Sequence, residues 1–463
     1  MATSNTNLNM LSISPIDGRY YKQLSDLSNV ASEFALNKFR LFVELEWFKF
    51  ILSEKVLSIY DISLEDIKYL DDIVKNFDIN ECNQIKQLEL STNHDVKALE
   101  YYLSNILSKH DIFKKYISFI HFACTSEDIN NTSYALMLKE LKYLHIRPAL
   151  ANVLDLMVTV ANKYRDIAMV SRTHGQLASP TTMGKEFFNF AYRLNKYLKK
   201  LMQLDISAKI NGAVGNYNAH IVAYPAIKWH EISKVFIEDI LHLSLNPYTT
   251  QIEPHDNLAE FCDYLKRINT ILLDFVKDIW LYISINYLSQ KILSHEVGSS
   301  VMPHKINPID FENAEGNLGL ANSLLTYMAD KLPISRYQRD LSDSTVMRNI
   351  GSCISYCLIA YNSIIKGLNK LEINQKVIAA DLDNSWDVLA EAIQTIMRKN
   401  YVHDAYEQLK SLTRGSKITK DILDSFIKNL DIDIVDKQTL LNLTPKDYIG
   451  LATTFDINII NEL

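Results

Sequence analysis

The feature that most constrains the fold is a long stretch, residues 257–297, that contains neither glycine nor proline. Its apolar residues recur at alternating intervals of three and four, and they are Leu258, Phe261, Leu265, Ile268, Leu272, Phe275, Ile279 and Tyr282. This spacing predicts one amphipathic helix, which at 1.5 Å per residue would be roughly 60 Å long. An apolar seam of that length needs helical partners of similar length, in the same chain or in identical subunits.

Other parts of the chain carry helical patterns too. There are only 12 glycines in 463 residues, whereas average usage is roughly 7%. Apolar residues recur at helical spacing in 26–77, 96–106, 183–201 and 310–331, and shorter patterns follow residue 370. Nowhere do strand patterns of period two alternate with helices. The sequence therefore predicts an all-α protein.

Composition excludes several classes of protein. The net charge is −7 and the pI is about 6.0, so there is no overall basic field to hold nucleic acid or an anionic membrane. The five cysteines form no CxxC pair, and no His, Asp or Glu cluster has metal-ligand spacing. No uninterrupted apolar run reaches the roughly 18 residues of a membrane span, and the N-terminus lacks the pattern of a secretion signal. We therefore expect a soluble, cytoplasmic protein that needs no metal.

Residues 298–308, Gly-Ser-Ser-Val-Met-Pro-His-Lys-Ile-Asn-Pro, must form a loop between two helices. By itself this loop could be an ordinary exposed turn, but similar polar clusters precede helices at 91–97, 121–128, 171–176, 249–256 and 335–349. In these clusters Thr92 or Asn93 is the expected N-cap of a helix, and His174 lies in a glycine-containing loop ahead of one. The glycines kept in the clusters indicate positive φ angles or close backbone approach.

The polar clusters together indicate acid–base chemistry on an acidic small molecule. A net-acidic protein must meet an anionic substrate with local cations, and the candidates are Lys305, Arg19, Arg336, Arg339 and Arg348, with Lys97 as a further one. Histidine can exchange a proton near neutral pH. The glycines at 209–218 match no phosphate-binding fingerprint and no strand is expected before them, so a nucleotide-binding fold and a cofactor are not predicted.

At this point the chain shows a resemblance to a known group of enzymes. Residues 298–308 resemble the signature loop of the fumarase/aspartase superfamily, whose members form or consume fumarate by β-elimination. Further segments resemble the adenylosuccinate lyase family of the kind common in bacteria, and they are 14–20, 92–98, 121–131, 171–176, 209–220, 246–256 and 333–349. One departure is Leu177, where that family usually has proline.

The resemblance implies a fold and an assembly. The expected fold has three domains, at 1–112, 113–366 and 367–463, and the middle one is a bundle of long helices completed by oligomerisation. The family forms homotetramers in which three subunits contribute to each active site, so self-association is expected beside a small-molecule substrate. No cofactor, nucleic acid or membrane partner is implied.

The resemblance also implies residue roles. His174 is the expected acid and Ser299 the expected base; the alternative makes a histidine the base and Ser299 a carboxylate ligand. Residues expected to bind substrate are Arg19, Tyr20, His94, Asp95, Thr125, Ser126, Thr173, Gln251, Ser300, Lys305, Asn307, Arg339, Ser344 and Arg348. The loop that carries Ser299 is expected to close over the substrate and exclude water.

The reaction implied is elimination of fumarate from adenylosuccinate, which leaves AMP, and from the succinylaminoimidazole carboxamide ribotide of purine synthesis. A sister lyase, such as argininosuccinate lyase or fumarase, is the first alternative. Fumarase has no phosphate to bind, so Arg19, Arg339 and Arg348 would have no counterpart role there. A non-catalytic helical scaffold is the second alternative, in which the polar loops would be only capped turns.

Overall fold

The computed structural model describes residues 10–53, 55–59, 61–291, 302, 305–413 and 418–460. It is 66% helical, which confirms the all-α prediction. The α-helices in chain order are α1 Tyr21–Leu24, α2 Ser28–Ala31, α3 Glu33–Leu52, α4 Leu64–Lys75, α5 Ile79–Thr92, α6 Asp95–Leu107, α7 Ser126–Glu140, α8 Arg147–Lys163, α9 Met183–Gln203, α10 Asn218–Ala223, α11 Trp229–Lys234, α12 Asp256–Ser284, α13 Ile309–Lys331, α14 Ser342–Met347, α15 Ile350–Asn369, α16 Gln375–Asp383, α17 Ala390–Lys399, α18 Ala405–Thr413, α19 Lys420–Lys428 and α20 Ile434–Asn442. Two π-helical segments, Leu141–Ile146 and Val235–Ile240, and short 3₁₀ turns complete the helical structure.

The chain divides into two compact units, each built from several segments. The first comprises Met1–Leu150, Leu198–Thr270 and Gly316–Ala360, and the second comprises Ala151–Tyr197, Ile271–Glu315 and Tyr361–Leu463. Each boundary falls within a long helix, namely α8, α9, α12, α13 or α15. The three-domain division therefore stays a prediction.

Helix α12 is shorter than its sequence pattern predicts. It ends at Ser284, because Asn286 takes a left-handed conformation with φ of +59°. The Asn286 N–H donates to the Ile283 carbonyl (3.0 Å) and the Tyr287 N–H to the Tyr282 carbonyl (2.9 Å). This pair of bonds is a Schellman ending with asparagine in the place of glycine. The predicted seam is nonetheless present, because its residues from Leu258 to Ile279 are buried.

Three short two-stranded sheets interrupt the helices, and the sequence patterns did not predict them. β1 Ala168–Thr173 pairs antiparallel with β2 Gln176–Thr182. β3 Ser207–Ala208 pairs parallel with β4 Ser244–Leu245, and β5 Leu288–Gln290 pairs antiparallel with β6 Leu371–Ile373. The expectation that no strand precedes the glycines at 209–218 was wrong, since β3 lies directly before them. At two or three residues each, β3 to β6 are too short to carry a period-two pattern.

Each unit has its own apolar core. In the first unit α3, α4, α5 and α6 pack around buried residues that include Leu45, Phe48, Leu99, Leu103 and Phe113. In the second unit the C-terminal helices pack around Leu382, Leu389, Ile393, Leu423 and Leu440. Ala168 and Val170 of β1 belong to this second core, so the β1–β2 hairpin is anchored at its base.

The continuous helical run Ser126–Lys163 is long and apolar enough to cross a membrane, by those two measures alone. Its first turn carries the carboxylates of Glu127 and Asp128, which are buried within the first unit. Their partners are the cations Arg339 and Lys209. The start of this run is therefore tied to the first unit by buried ion pairs.

Candidate active site

His94 starts helix α6 as its N-cap. Its Nδ1 accepts a hydrogen bond from the Lys97 backbone N–H (3.2 Å). The predicted caps were wrong, because Asn93 lies at φ +50° and ends the preceding helix instead. Since Nδ1 must keep its lone pair to serve as the cap, the proton of the neutral ring is on Nε2. That nitrogen lies 3.5 Å from Ser126 Oγ, so two predicted site residues meet here.

Asp95, the next residue, lies between two arginines. Its Oδ2 is 2.6 Å from Arg40 Nη2 and 3.4 Å from Arg348 Nη2, and its Oδ1 accepts from the Val96 N–H. Burial acts to raise the pKa of Asp95, but the charge of Arg40 and the Val96 hydrogen bond outweigh it and hold that pKa below its usual range. Asp95 is therefore an anion whose position is fixed from both sides.

Arg348 is half exposed and points at the start of the short helix α14. Its Nη1 donates to Ser344 Oγ at 2.7 Å, across one helical turn. With Asp95 on Nη2, the guanidinium is oriented before any ligand is present. A guanidinium fixed in this way matches the planar, two-pronged recognition of phosphate.

A second guanidinium, that of Arg339, is largely buried. Its Nη1 donates to Gln251 Oε1 (3.4 Å) and its Nη2 lies 3.1 Å from Glu127 Oε2. Burial raises the pKa of Glu127 to about 7, against the lowering effect of Arg339. Asp343 lies 3.8 Å from Arg339 and, on its other oxygen, 3.8 Å from His255 Nε2. The first unit thus holds Arg339 among carboxylates that fix its direction.

Asp128 joins the start of α7 to the glycine-containing segment after β3. Its Oδ2 accepts from the Thr125 N–H (2.8 Å), which completes a capping box. Its Oδ1 accepts from the Asn211 N–H (3.0 Å) and is 2.9 Å from Lys209 Nζ, and both side chains of this ion pair are fully buried. Asp128 therefore positions Thr125 and, through α7, Ser126.

Gly215 illustrates why glycine is retained in these clusters. Its φ is +82°, and a Cβ placed there would lie 2.3 Å from the Thr249 carbonyl oxygen. No other residue fits such a close approach of two backbones. This glycine brings the segment after β3 against Thr249 and Thr250, two residues ahead of Gln251.

His174 occupies the tip of the β1–β2 hairpin. Thr173 pairs with Gln176, so the connection has two residues, His174 at φ +55° and Gly175 at φ +75°. Positive φ at both positions is the requirement of a type I′ turn. Histidine is among the residues that tolerate this conformation. The imidazole is exposed on this two-residue turn, and Leu177 falls within β2 rather than at the entry to α9.

The remaining predicted residues are distributed as follows. Lys305 and Asn307 lie in the segment before α13, where the Lys305 N–H donates to the Met302 carbonyl (2.9 Å). Arg19, which is exposed, and Tyr20 lie in the turn before α1. Ser299 and Ser300 lie outside the described residues. The first unit thus brings together His94, Asp95, Thr125, Ser126, Gln251, Arg339, Ser344 and Arg348, and the second unit carries Thr173, His174, Lys305 and Asn307.

Two charged residues that the sequence analysis passed over contact this group. Arg40 is 2% exposed on α3 and, besides Asp95, donates from Nε to Asn130 Oδ1 (2.8 Å). Glu127 contacts Arg339 as described. A signal existed for Arg40, because it lies on the buried stripe of α3 with Leu36 and Val43, where an apolar residue is expected. Within the described residues, no three His, Cys, Asp or Glu side chains group as metal ligands would.

The buried ion pair between His121 and Glu44 predicts that the free energy of unfolding depends on pH. His121 Nδ1 lies 2.5 Å from Glu44 Oε1. Burial acts to lower the pKa of His121, but the charge of Glu44 outweighs it and raises that pKa to about 9, from 6.5. The stabilisation is complete below pH 6.5 and is lost as the pH rises through 9. It amounts to on the order of 3 to 4 kcal/mol, because the pKa rises by about 2.5 units and one unit corresponds to about 1.4 kcal/mol.

We expect His121→Gln to abolish this pH dependence. Urea unfolding of the wild type should give a lower free energy of unfolding at pH 9.5 than at pH 6.5, whereas the variant should change much less. The control is His230→Gln on α11, which removes an exposed histidine and should follow the wild type. An equal pH dependence in wild type and His121→Gln would refute the ion pair as its cause.

Comparisons with known proteins define the class. A family model described as lyase matches residues 18–321. The fold is shared by a fumarate lyase from Mesorhizobium sp. BNC1, with a TM-score of 0.77, 16% identity and coverage of 95% of this chain and 98% of that chain. A 3-carboxy-cis,cis-muconate lactonizing enzyme from Pseudomonas putida gives a TM-score of 0.74 at 19% identity, covering 95% and 96%. The fold and the family model together define a lyase of the fumarase/aspartase superfamily.

Closer relatives narrow this class. A second family model, described as adenylosuccinate lyase C-terminal, matches residues 335–449. The adenylosuccinate lyases of Legionella pneumophila (strain Corby), Vibrio cholerae serotype O1 and Escherichia coli (strain K12) are 52%, 50% and 49% identical to the chain. Each alignment covers at least 95% of this chain and 97% of the relative. The chain therefore belongs to the adenylosuccinate lyase family.

Proposed function

We propose that the protein releases fumarate by β-elimination from adenylosuccinate, giving AMP, and from the succinylaminoimidazole carboxamide ribotide, giving the aminoimidazole carboxamide ribotide. The observation that carries this proposal is a sequence identity of 49–50% to adenylosuccinate lyases over 96% of the chain. The match of residues 335–449 to the adenylosuccinate lyase C-terminal model supports it as well. Both substrates present a succinyl group on nitrogen and a ribose phosphate. We place this carbon–nitrogen lyase in the cytoplasm, in purine nucleotide biosynthesis.

The mechanism needs a base, an acid and charge stabilisation. Ser299 acts as its alkoxide, after releasing its hydroxyl proton to solvent, and Lys305 stabilises that anion. The alkoxide takes the proton from the succinyl carbon next to the carboxylate that then carries the developing charge. The C–N bond breaks, its electron pair stays on nitrogen, and His174 donates a proton to that nitrogen. Lys305 and Asn307 stabilise the carboxylate dianion that forms as the first proton leaves. In the alternative assignment a histidine is the base and Ser299 binds a carboxylate. The exposed position of His174, at the tip of a two-residue turn, supports its role as the acid by leaving the imidazole accessible to a substrate.

The arginines of the first unit are suited to the nucleotide part of the substrate. Arg348, fixed by Asp95 and Ser344, offers a phosphate a preoriented fork. Arg339, which donates to Gln251, lies three residues before the start of α14. Arg19 and Tyr20 join them in the proposal, on the family resemblance. His94 and Ser126, which contact each other, orient the substrate.

We expect Arg348→Ala to raise KM for adenylosuccinate by about 10- to 100-fold with a smaller change in kcat. A charge-assisted hydrogen bond to phosphate contributes roughly 1.5 to 3 kcal/mol, and phosphate does not change charge during the elimination. Initial rates from the ultraviolet absorbance of adenylosuccinate measure both constants. The exposed Arg398 on α17 gives a matched control, since Arg398→Ala removes the same charge. An unchanged KM in Arg348→Ala would remove Arg348 from the phosphate site.

We propose a homotetramer with shared active sites. Helix α13 exposes Ile309, Leu320 and Tyr327 on a face where a Cβ at Gly316 or Gly319 would meet nothing within 4 Å. An exposed apolar face with small residues fits close packing against another helix. Light scattering should give a tetramer. Subunits of His174→Ala are mixed with subunits of Arg348→Ala after partial unfolding and reassembly, and assayed at an adenylosuccinate concentration well below the raised KM of Arg348→Ala. The mixture should be more active than either variant alone, and no such gain would contradict shared sites.

A substrate panel tests the function itself. The purified protein is given adenylosuccinate, argininosuccinate or malate, and fumarate is followed by its absorbance. We expect fumarate from adenylosuccinate alone. Turnover of argininosuccinate without turnover of adenylosuccinate would make the chain a sister lyase, and no turnover of any substrate would favour the scaffold.

A further inference from the structure

The hairpin that carries His174 is held by residues with no assigned role. Two residues before His174, Arg172 points toward the C-terminal segment of the second unit. Its Nη2 is 2.7 Å from Asp381 Oδ2 and its Nη1 donates to the Tyr287 hydroxyl at 3.2 Å. The Tyr287 hydroxyl in turn donates to the same oxygen of Asp381. The guanidinium also lies over the Tyr287 ring, 5.1 Å from its centroid.

The three side chains form a closed set of hydrogen bonds. Burial, together with the bond to Asp381, raises the pKa of Tyr287 to about 12. The phenol therefore stays protonated and keeps donating across the neutral range. Tyr287 is itself fixed, because its carbonyl accepts from the Asn374 N–H (2.9 Å) and its N–H completes the Schellman ending of α12. Arg172 is thus held by residues whose own positions are determined.

The contacts reach along the whole hairpin. Helix α16 packs against β1, and Asp381 lies in the last turn of this helix. On the other strand, Ser179 donates to Glu391 on α17, and the Tyr448 hydroxyl donates to the same carboxylate at 2.9 Å. Because the His174 turn has only two residues, the direction of its imidazole depends on how the two strands are held. The chain beyond residue 370 supplies these contacts together with Tyr287.

We propose that Arg172, Asp381 and Tyr287 form a positioning cluster that sets the direction of the His174 imidazole for proton donation. This proposal rests on the acid role given to His174 above. None of the three side chains donates the proton; Arg172 acts through the backbone it shares with Thr173 and His174. The segment beyond residue 370 carries no residue predicted to bind substrate, since the last of these in the chain is Arg348. Through Asp381 it nevertheless contributes to the rate of the reaction.

The test is Asp381→Asn, which keeps the shape of the side chain and removes its charge. We expect kcat for adenylosuccinate to fall by about 10- to 100-fold, because small displacements of a reacting group carry losses of that size. We expect KM to change by less than about twofold, since the arginines that hold the nucleotide are untouched. Tyr287→Phe, which keeps the ring under Arg172, should give a smaller loss of the same kind. The side chains of Arg172 and Asp381 are each 29% exposed, so thermal stability should hardly change.

Asp274→Asn is the matched control. Asp274 pairs with Arg193 at the same distance, 2.7 Å, on the surface of the same unit. Its replacement should leave kcat unchanged. Hydrogen exchange of the peptide that covers residues 168–182 gives a readout that does not depend on turnover. Amide exchange in this peptide should be faster in Asp381→Asn than in Asp274→Asn.

The outcomes separate this proposal from the proposed function. If the wild type releases fumarate but Asp381→Asn matches Asp274→Asn in kcat, the positioning role is overturned and the function stands. If kcat and KM both change strongly, or kcat falls only with a loss of thermal stability, the effect is general damage and the proposal is also wrong. If the wild type does not turn over adenylosuccinate, the function fails, and unchanged hairpin exchange in Asp381→Asn would overturn the anchoring as well.

Discussion

Replacing His174 with alanine is expected to lower kcat for adenylosuccinate by about 10²- to 10⁴-fold, the range typical of losing one general acid. The departing nitrogen takes the electron pair of the broken C–N bond, and without a proton donor it is a poor leaving group. KM should change little, because the contacts proposed for the nucleotide are made by other residues. Initial rates by ultraviolet absorbance give both constants.

The alanine variant alone leaves one ambiguity, because His174 has a φ of +55° in a two-residue turn. Alanine is strained there, so part of the loss could come from a distorted hairpin. His174→Asn removes that ambiguity, since asparagine tolerates the left-handed conformation but cannot donate a proton as an acid. We expect both variants to be equally inactive.

A control for the same substitution is His242→Ala. His242 is another exposed histidine with positive φ, +53°, and it lies outside the proposed site. Its variant should keep wild-type rates. If His174→Asn retained activity within a few-fold of the wild type, His174 would not be the acid.

The largest expected effect on stability is that of Asp128→Ala, about 3 to 5 kcal/mol of the free energy of unfolding. The change leaves the Lys209 ammonium buried without its anion, and the Gly212 carbonyl, at 3.0 Å, then accepts from it as a neutral partner. It also leaves the N–H groups of Thr125, Asn211 and Gly212 without their acceptor. Urea unfolding at fixed protein concentration measures the loss.

Two further variants test whether this loss of stability comes from the buried, unpaired charge of Lys209. Asp263→Ala removes one partner of an exposed pair with Lys266 (2.6 Å) and should cost less than about 0.5 kcal/mol. Asp128→Asn combined with Lys209→Met removes both buried charges and should recover part of the stability lost in Asp128→Ala. A loss below about 1 kcal/mol in Asp128→Ala would contradict the account of this ion pair as a fixed, buried charge pair.

Much of the fold could be predicted from the sequence, because long amphipathic helices leave a periodic record. The seam from Leu258 to Ile279 is buried in α12 as predicted, and α13 begins within one residue of its predicted start. The end of α12 was predicted too late in the chain, because Asn286 takes the left-handed conformation that glycine usually takes at the end of a helix. The β1–β2 hairpin was also missed, since its strands do not alternate apolar and polar residues and its turn residue, His174, is not a common turn former.

The candidate site could be predicted only in part. Residues at the starts of helices, such as His94 and Thr125, stood out because polar side chains precede apolar periodicity. The position of Arg40 on an apolar stripe was a local signal of burial, but its partner Asp95, 55 positions away, could not be read from it. Asp381 gave no local signal, and its partner Arg172 is 209 positions away. Pairings over such separations depend on the tertiary fold, and a local pattern does not contain them. The contacts by which the C-terminal segment holds the His174 hairpin are also pairings between residues far apart in the chain, so the sequence did not reveal them.

The central claim is that His174 protonates the nitrogen that leaves the succinyl group while preoriented arginines hold the nucleotide. The most direct test is a structure of the assembled Ser299→Ala variant with adenylosuccinate bound. We predict the His174 imidazole within hydrogen-bonding distance of the nitrogen that carries the succinyl group, and Arg348 on the phosphate. A bound substrate whose nitrogen is out of reach of every His174 in the assembly would contradict the account.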